Sequence, residues 1–229
     1  MSTLQNRFSS EDRRRQILRL ATEMFAEKGF DGTTTREIAA RAQVNEALIF
    51  RHFATKEELY WAVLEDKVRS EQCHQRLQEL LAAASDIREA LTSVAEWMLR
   101  RRDEDHTSTR LALFCALERH ELSKRFFGEF VATYFEVLAD YMREQMRIGV
   151  LRKTNALMAA RTFIGTVVYH SLVKELFGSV DTAGNMDVTE ASKLMVSIWL
   201  DGMLAQPVPP RASRQRTRAQ ATELQEPKQ

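Results

Sequence analysis

Proline is missing from the first 206 residues of this 229-residue chain, and all four prolines lie after them: Pro207, Pro209, Pro210 and Pro227. Proline removes a backbone donor and clashes with the preceding turn, so it interrupts helices. Its absence permits long helices over most of the chain. Alternating apolar and polar residues bounded by hairpin turns, which are typical of strands, are also not evident. The sequence therefore predicts an all-α protein.

Cysteine is nearly absent as well. Cys73 and Cys115 are the two cysteines, and they lie far apart in the sequence. This excludes a disulfide framework and a zinc site built on paired cysteines, and it is typical of a reducing compartment. The histidines have no ligand spacing, so we expect no metal and no cofactor.

Neither an excess of one charge nor a long apolar run is present. The formal net charge is +1, so contact with nucleic acid would have to come from a local basic patch. The N-terminal residues lack the apolar core of a signal sequence, and no run looks long and apolar enough to cross a membrane. We therefore expect a cytoplasmic protein. A nucleophile–base pair, a phosphate-binding loop and metal-ligand spacing are all missing, so we expect no enzyme activity.

The N-terminal third has the pattern of four capped helices. Each begins at a side chain that can accept a hydrogen bond from the first turn: Ser9 or Ser10, Thr34, Asn45 and Thr55. Glutamates three residues after Thr34 and Thr55 complete capping boxes. We expect the first helix to end at Gly29 and the fourth to extend as far as Ala84.

The third of these helices raises a question of orientation, because two large apolar residues are adjacent in it. Ile49 and Phe53 are four residues apart and share a face, so Ile49 takes the core and Phe50 points outward. The inward set is Ile38, Ala39, Ala42, Val44, Ile49 and Phe53. Cationic side chains surround the outward aromatic: Arg36, Arg51, His52 and Lys56. Two short helices with a tight turn indicate a helix-turn-helix whose second helix enters a major groove.

The stretch "GFDGTTTREIAARAQVNEALIFRHFATKEELYWAV", residues 29–63, resembles the N-terminal region of the TetR family of bacterial transcriptional regulators. The resemblance implies a three-helix DNA-binding domain, a helical ligand-binding and dimerisation domain, and double-stranded operator DNA, a second copy of the chain and a small-molecule effector as partners. It further implies DNA contacts at Thr34, Thr35, Arg36, Asn45, Glu46, Ala47, Leu48, Phe50, Arg51, His52 and Lys56. Among them, Thr35 and Lys56 would contact the DNA backbone, and Arg36 a phosphate or a guanine edge.

Two positions depart from the family pattern. Gln43 stands where the turn usually has glycine, and a positive φ there would cost about 1 kcal/mol. Phe50 stands where the recognition helix usually has tyrosine, so the hydroxyl that would reach a phosphate is missing. This leaves contact with a sugar or a thymine methyl for Phe50.

Large aromatic residues recur on the amphipathic segments between Ile87 and Tyr141. We expect them to enclose an apolar cavity walled by Trp97, Phe114, Phe127, Phe130 and Tyr134. Few charges lie on these faces, which favours a neutral or weakly polar ligand. An acid held at the rim by Arg100 or Arg101 is the alternative.

The last two helical segments, 155–177 and 187–204, are apolar on more than one side. More apolar surface than one monomer core uses indicates a four-helix interface between two copies of the chain. The predicted interface residues are Phe163, Val167, Val168, Leu172, Met195, Ile198 and Trp199.

The sequence thus predicts a DNA-binding domain at residues 1–56, with the family match extending to about 63, a ligand-binding and dimerisation domain at 57–205, and a disordered tail at 206–229. We interpret the chain as a dimeric transcriptional repressor that a small apolar ligand releases from a palindromic operator. An activator or a ligand-independent regulator is the alternative within the family, and a helical interaction scaffold is a more distant one.

Overall fold

The computed structural model describes residues 9–104, 106–118, 121–177 and 186–205, and these residues form helices without strands. The predicted all-α fold is confirmed. In chain order the elements are α1 (Ser10–Lys28), α2 (Thr35–Ala42), α3 (Glu46–His52), α4 (Lys56–Glu71), α5 (Cys73–Ala83), α6 (Ile87–Glu104), α7 (Thr107–Leu117), α8 (Glu121–Phe126), a π-helical turn (Phe127–Val131), α9 (Ala132–Arg147), α10 (Ala156–Phe177) and α11 (Val188–Met203).

The four predicted N-caps are confirmed, because each side chain accepts a hydrogen bond from a backbone N–H in the first turn. The N–H donors and distances are Asp12 to Ser9 at 3.0 Å, Glu37 to Thr34 at 3.2 Å, Ala47 to Asn45 at 2.8 Å and Glu58 to Thr55 at 3.1 Å. The Glu37 carboxylate returns a contact by accepting from the Thr34 N–H at 2.8 Å, which completes a capping box. Local sequence therefore fixes where the first four helices begin.

The expected length of the fourth helix was wrong. α4 ends at Glu71, Gln72 adopts a left-handed backbone with φ of 46°, and a separate helix α5 begins at Cys73. No glycine or proline marks this break in the sequence. The break turns α5 toward α6 and α9, where Leu77 and Leu81 are buried in the C-terminal core.

The turn between α2 and α3 is closed by a Schellman motif. Gln43 has φ of 55° and ψ of 45°, as its place in the turn predicts. Its N–H donates to the Ala40 carbonyl at 3.1 Å, and the Val44 N–H donates to the Ala39 carbonyl at 3.0 Å. A residue with a Cβ therefore holds a conformation that glycine adopts without steric cost.

The N-terminal core, which we call the head core, is formed by α1 to α4 and by two residues of α7, Leu111 and Cys115. Ile38, Ile49 and Phe53 are among its buried side chains, as the helical spacing predicts. The core also takes in α4 as far as Leu64. A domain division at residue 56 stays a prediction, but the head core continues past it.

The second core packs α5, α6, α9, α10 and α11 together. A short antiparallel bridge joins Leu151, before α10, to Leu204, after α11. By length and composition α10 could cross a membrane, contrary to our interpretation of the sequence. Its Phe163, Ile164 and Val167 are nonetheless buried against neighbouring helices. The predicted disordered tail, residues 206–229, lies outside the described residues.

Replacing Gln43 with glycine should stabilise the chain by about 1 kcal/mol, because the left-handed conformation is strained only when a Cβ is present. Chemical denaturation of the two proteins measures the difference. Gln43→Ala is the matched control, because it removes the same side-chain atoms beyond Cβ and keeps the strain. Equal gains in both variants would show that the glutamine side chain, and not φ, carries the cost.

Candidate nucleic-acid interface and ligand cavity

The outward face of α3 is the most distinctive surface of the head. Ile49 is fully buried, whereas the adjacent Phe50 keeps 45% of its surface exposed. The expectation that burial of Ile49 forces Phe50 outward is confirmed. A large aromatic on the surface of a helix with charged neighbours has no role in the head core, so its place indicates a contact surface.

The residues predicted to contact DNA lie together around this aromatic, and none of them is buried. The exposed members are Thr34, Arg36, Asn45, Ala47, Phe50 and Arg51, and the half-buried members are Thr35, Glu46, Leu48, His52 and Lys56. They occupy α2, α3 and the first turn of α4 with the two caps that precede them. The sequence-predicted set is therefore accessible on the head, and its role in DNA contact stays a prediction.

Three of these residues form hydrogen bonds that stabilise the head itself. The side chains of Thr34 and Asn45 cap α2 and α3. The Thr35 hydroxyl donates to the Glu46 carboxylate at 2.6 Å and so ties the start of α2 to the start of α3. A direct donation from Thr35 to a phosphate requires this bond to open.

The cations of the surface differ in their surroundings. Among the described residues, Arg36 and Arg51 form no ion pair, whereas Arg41 pairs with Glu23 at 3.1 Å. The Lys56 ammonium lies 4.1 Å from the centre of the Phe30 ring, in the first turn of α4. This contact holds the lysine beside a helix N-terminus, where the peptide dipoles favour an anion.

The capping box also sets a charge at the start of α2. The Thr34 N–H and hydroxyl, together with Lys28, lower the pKa of Glu37 from 4.5 to about 2. The carboxylate is therefore ionised throughout the physiological range. Its charge is directed to its own helix N-terminus and to Lys28, whose ammonium lies 3.3 Å away.

A cavity of about 340 Å³ lies where the two cores meet. The wall is mostly apolar and comes from α4, α5, α6, α7, α8, the π-helical turn, α9 and α10. Its residues are Leu64, Lys67, Val68, Cys73, Met98, Arg101, Ser108, Thr109, Leu111, Ala112, Leu113, Phe126, Phe130, Val131, Tyr134, Phe135, Ile164, Val168 and Leu172. This volume lies at the small end of the range of small-molecule sites.

The predicted wall matches this cavity only in part. Phe130 and Tyr134 line it, but Trp97, Phe114 and Phe127 do not. Phe114 packs instead beside Gly29, where a Cβ would lie 2.8 Å from its Cδ1 atom, and Phe127 is half-exposed. Trp97 lies behind the wall, with its ring 6.4 Å from that of Tyr134. The five residues belong to four different elements, α6, α7, the π-helical turn and α9, and helical spacing alone did not separate those that line the cavity from those that pack elsewhere.

One wall of the cavity contains a π-helical turn, and aromatic contacts hold that turn against the head. Phe130 stacks on Trp61 of α4 with ring centres 5.7 Å apart. The Arg125 guanidinium also lies over the Trp61 ring, with its central carbon 3.7 Å from the ring centre. Because π-helical turns are intrinsically unfavourable, this turn depends on such packing.

Helix α7 joins the cavity to the head by two polar contacts. The Glu118 carboxylate, just after α7, accepts from the N–H groups of Phe30 and Asp31, both at 3.1 Å. The Arg110 Nε donates to the Ala26 carbonyl in the last turn of α1 at 2.7 Å. Sequence analysis missed this junction, because contacts across more than eighty residues leave no local pattern.

The same junction requires Gly29. Its φ is 75°, and an added Cβ would collide with the Glu118 carboxylate. Arg110 also contacts α10, because its guanidinium lies 3.4 Å from the Glu175 carboxylate. His106 Nδ1 lies 2.6 Å from the same carboxylate. A chain of contacts thus runs from α10 through α7 to the loop that precedes α2.

Beneath this junction the Tyr60 hydroxyl is buried in the head core beside Cys115. Burial raises the pKa of Tyr60 well above its ordinary value and raises the pKa of Cys115 to about 11. Both groups are therefore neutral at physiological pH. We infer that they are structural parts of the core, and that Cys115 is an unreactive thiol.

The predicted interface residues on α10 and α11 separate into three groups. Phe163 and Val167 are buried in the monomer core, so they cannot contact a second copy directly. Val168 and Leu172 line the cavity instead. The others lie at least partly on the surface: Met195, Ile198 and Trp199.

The outer face of these two helices is nonetheless apolar. Large exposed side chains on it are Met158, Tyr169, Leu194 and Ile198, with Ile198 67% exposed. Gly165 lies on the exposed side of α10, and a Cβ added there would meet nothing within 4 Å. A helix face with exposed apolar groups and a glycine can accept a close-packed partner helix. The predicted segments remain the proposed interface, with Ile198 kept from the predicted set and Met158, Tyr169 and Leu194 added to it.

Comparison with known sequences and structures gives consistent relationships. Residues 17–63 match the profile described as "Bacterial regulatory proteins, tetR family", and residues 89–202 match "AefR-like transcriptional repressor, C-terminal domain". The chain is similar to the HTH-type transcriptional repressor Rv3405c of Mycobacterium tuberculosis, with 55% identity over 49 residues, 21% of this chain and 26% of that protein. It thus spans about a quarter of the length of that relative.

Two further matches are longer. The HTH-type transcriptional repressor Rv1474c of Mycobacterium tuberculosis is 30% identical over 141 residues, which cover 61% of this chain and 70% of that protein. The crystal structure of a putative TetR-family transcriptional regulator from Mesorhizobium loti superimposes with a TM-score of 0.66 at 19% identity, covering 86% of this chain and 99% of that one. At this identity the structural match concerns the fold.

The capping box predicts a pH dependence for the head. Because the folded pKa of Glu37 is depressed, the carboxylate stabilises the folded state above pH 4.5, and this contribution is lost as the pH falls toward about 2. The difference in unfolding free energy between wild type and Glu37→Gln should therefore be present at neutral pH and vanish near pH 2. A difference that stays constant over this range would exclude the assignment. Denaturant titrations at several pH values measure it.

The Glu118 contacts predict a graded loss of folding stability when this residue is substituted. Glu118→Ala leaves the N–H groups of Phe30 and Asp31 without their acceptor and should cost about 1–3 kcal/mol of stability. Glu118→Gln keeps one acceptor oxygen and should cost less. Hydrogen exchange at these two amides should accelerate in the same order. Equal exchange rates in all three proteins would contradict the junction.

Proposed function

The chain belongs to the TetR family of bacterial regulatory proteins, and we propose that it is a sequence-specific DNA-binding transcriptional regulator. In this proposal it is a cytoplasmic repressor that binds a near-palindromic operator as a homodimer and is released by a small, largely apolar ligand. The observation that carries the proposal is the outward face of α3, where Phe50 and Arg51 stand exposed beside Arg36 of α2.

In the proposed complex α3 enters the major groove. Glu46, Ala47 and Leu48 approach base edges, where a carboxylate can accept from a cytosine amino group and an alkyl group can contact a thymine methyl. Phe50 contacts a sugar or a thymine methyl, since it lacks a hydroxyl. Arg51 and His52 supply the donors that a tyrosine at position 50 would share.

Phosphate contacts fix the orientation of α3 on the duplex. Lys56 is suited to this role because Phe30 holds its ammonium at the N-terminus of α4. Arg36 at the start of α2 contacts a phosphate or a guanine edge. The two cations lie in the first turns of α2 and α4, the helices on either side of α3, so we expect one docking geometry to use them together with the groove-facing residues.

Dimerisation through the outer faces of α10 and α11 places two heads side by side. Four helices then pack around the exposed apolar residues Tyr169, Leu194 and Ile198. A two-fold dimer reads two half-sites about 34–36 Å apart or a multiple of that distance. The operator is accordingly expected to be close to palindromic.

Release by a ligand follows from the position of the cavity. A ligand changes DNA affinity only if it binds better to a conformation that binds DNA less well. Helix α7 contributes Ser108, Ala112 and Leu113 to the cavity wall and also carries Arg110. A ligand that displaces α7 therefore moves its contacts with α1 and alters the separation of the two heads.

An activator, or a regulator without an effector, is the alternative within the family. It would use the same DNA-contacting surface around Phe50. A helical scaffold leaves the cationic face around Phe50 without a role. A gel-shift titration with the DNA upstream of the gene for this protein distinguishes these classes. Specific retention of that DNA, absent with an unrelated duplex of equal length, supports the regulator. No specific retention, either of that DNA or of any sequence enriched from a random pool, would refute it.

If the surface around Phe50 binds DNA, substitutions of Lys56 and Arg36 should weaken DNA binding in two different ways. Lys56→Ala should weaken binding to all sequences and reduce the salt slope of the binding constant by about one. Arg36→Ala should cost roughly 1–3 kcal/mol and relax specificity at one base pair if it reads guanine. Arg88 is an exposed cation on α6. Arg88→Ala is therefore the control and should change neither DNA affinity nor sequence specificity. Wild-type affinity in both head variants would contradict the placement of the surface.

The proposed dimer face predicts that Ile198→Glu produces a monomer with weak operator binding, because a charge would be buried between the two copies. Sedimentation velocity at micromolar concentration measures the assembly state. Arg88→Glu places a glutamate at an exposed position of α6, outside the proposed dimer face, and should leave the dimer intact. A wild-type monomer, or a dimer that persists in Ile198→Glu, would place the interface elsewhere.

A further inference from the structure

One side-chain hydrogen bond joins the starts of the two short helices of the head. The Thr35 hydroxyl, in the first turn of α2, donates to the Oε1 atom of Glu46, in the first turn of α3, with 2.6 Å between the oxygens. This is the length expected of a charge-assisted hydrogen bond from a hydroxyl to a carboxylate. Both side chains are half-buried. The bond therefore holds the Glu46 carboxylate in one orientation before any DNA is bound.

The same bond decides how the Thr35 hydroxyl can act on DNA. A hydroxyl has one proton to donate, and a phosphate oxygen, like a carboxylate oxygen, only accepts. The phosphate contact expected of Thr35 from the family resemblance and its bond to Glu46 therefore require the same proton. While Glu46 accepts that proton, Thr35 can influence DNA only through the carboxylate.

A carboxylate on a DNA-contacting surface needs a specific donor to offset its charge. The phosphates repel it, so by itself it lowers the affinity for DNA of any sequence. In the described part of the chain its side-chain partner is the Thr35 hydroxyl, which is neutral and leaves the charge in place. The amino groups of cytosine and adenine are the donors that bases present in the major groove. We therefore expect Glu46 to be directed to one of these two bases.

The four bases differ in what they present to such an acceptor. Cytosine presents the N4 amino group, whereas guanine presents N7 and O6 and thymine presents O4, which are all acceptors. Adenine presents the N6 amino group with the N7 acceptor beside it, so a carboxylate oxygen would face a lone pair there. A carboxylate therefore favours cytosine and is repelled most by guanine and thymine.

We propose that Glu46 selects cytosine at one position of each operator half-site, and that Thr35 is the positioning residue that sets its carboxylate for this contact. Thr35 holds the Oε1 atom, and the Oε2 atom accepts from the N4 amino group. This inference rests on the proposed function. It goes beyond that function in naming the base that is read and in giving Thr35 a role other than a phosphate contact.

Positioning by Thr35 makes the selection sharper in two ways. A glutamate side chain loses rotamer freedom when a complex fixes it, and a side chain that is already fixed does not lose that freedom on binding. A mobile carboxylate can also turn away from an unfavourable base and so rejects guanine and thymine less well. A carboxylate held by Thr35 keeps both the attraction to cytosine and the repulsion from the other bases.

The first test selects DNA from a random duplex pool with the full-length protein and sequences the bound fraction. The wild type should show cytosine at one position of each half-site. Glu46→Ala should lower the preference for cytosine over thymine at that position about tenfold and leave the other positions unchanged. Glu46→Gln should shift the preference toward adenine, because an amide can pair with both N6 and N7. An unchanged preference for cytosine in both variants would overturn the proposal.

Substitutions of Thr35 test the positioning role. Thr35→Val keeps the shape but lacks the hydroxyl, so it should lower the cytosine preference at the same position by at least about threefold. Thr35→Ser keeps the donor and should keep the preference. Thr22 of α1 offers a matched control, since its half-buried hydroxyl donates to the Leu18 carbonyl of its own helix. Thr22→Val should leave every base preference unchanged, and an equal change in both valine variants would refute positioning by Thr35.

A double-mutant cycle separates positioning from a direct phosphate contact. Affinities for the selected duplex are measured by fluorescence anisotropy. If Thr35 acts through Glu46, Thr35→Val should change the affinity less than about twofold once Glu46 has been replaced by alanine. A phosphate contact would be lost in both backgrounds and on all sequences alike. An equal loss of affinity with and without Glu46 would therefore contradict the positioning role.

The outcome of the selection also separates this inference from the proposed function. If the wild type enriches a near-palindromic motif and every base preference survives in Glu46→Ala, the regulator stands and the cytosine contact is refuted. If the wild type enriches no motif at all, the proposed function fails and the cytosine contact fails with it. Cytosine selection that is lost in Glu46→Ala, weakened in Thr35→Val and kept in Thr35→Ser is the result expected.

Discussion

Helix α7 is packed in the head core and also forms part of the cavity wall, and the coupling between the domains depends on this constraint. Leu111 is buried in the head core and also lines the cavity, while Cys115, one turn later, is buried beside Tyr60. Close-packed interiors do not deform continuously, so a helix packed in the head core cannot move without repacking that core. The cavity and the head are therefore parts of one mechanical unit.

The polar contacts at the two ends of α7 determine which part of the head would move with this helix. Arg110 holds the carbonyl groups at the end of α1, and Glu118 holds the amides of the loop that leads to α2. Both contacts are made to backbone atoms, so a shift of α7 acts on the path of the chain itself. The close approach at Gly29 leaves no space to absorb it.

The features that could be predicted from the sequence are those with short-range causes. Capping at Thr34 and Asn45 and the outward Phe50 follow from residues within a few positions of each other, whereas the left-handed turn at Gln43 was expected from the resemblance to the family pattern. The break at Gln72 could not be predicted, because no glycine or proline marks it and the tertiary packing of α5 determines it. The cavity wall was also only half predicted, since an aromatic such as Phe114 packs equally well against a ligand or against another domain.

The most direct test of the coupling through α7 fills the cavity without a ligand. Ala112 lies on α7 and lines the cavity, so Ala112→Trp should occupy the space and displace the helix. The account predicts that this full-length variant keeps a folded head but binds operator DNA more weakly than the wild type, with faster hydrogen exchange at the Phe30 and Asp31 amides. A variant with a filled cavity, unchanged exchange at these amides and wild-type operator affinity would contradict it.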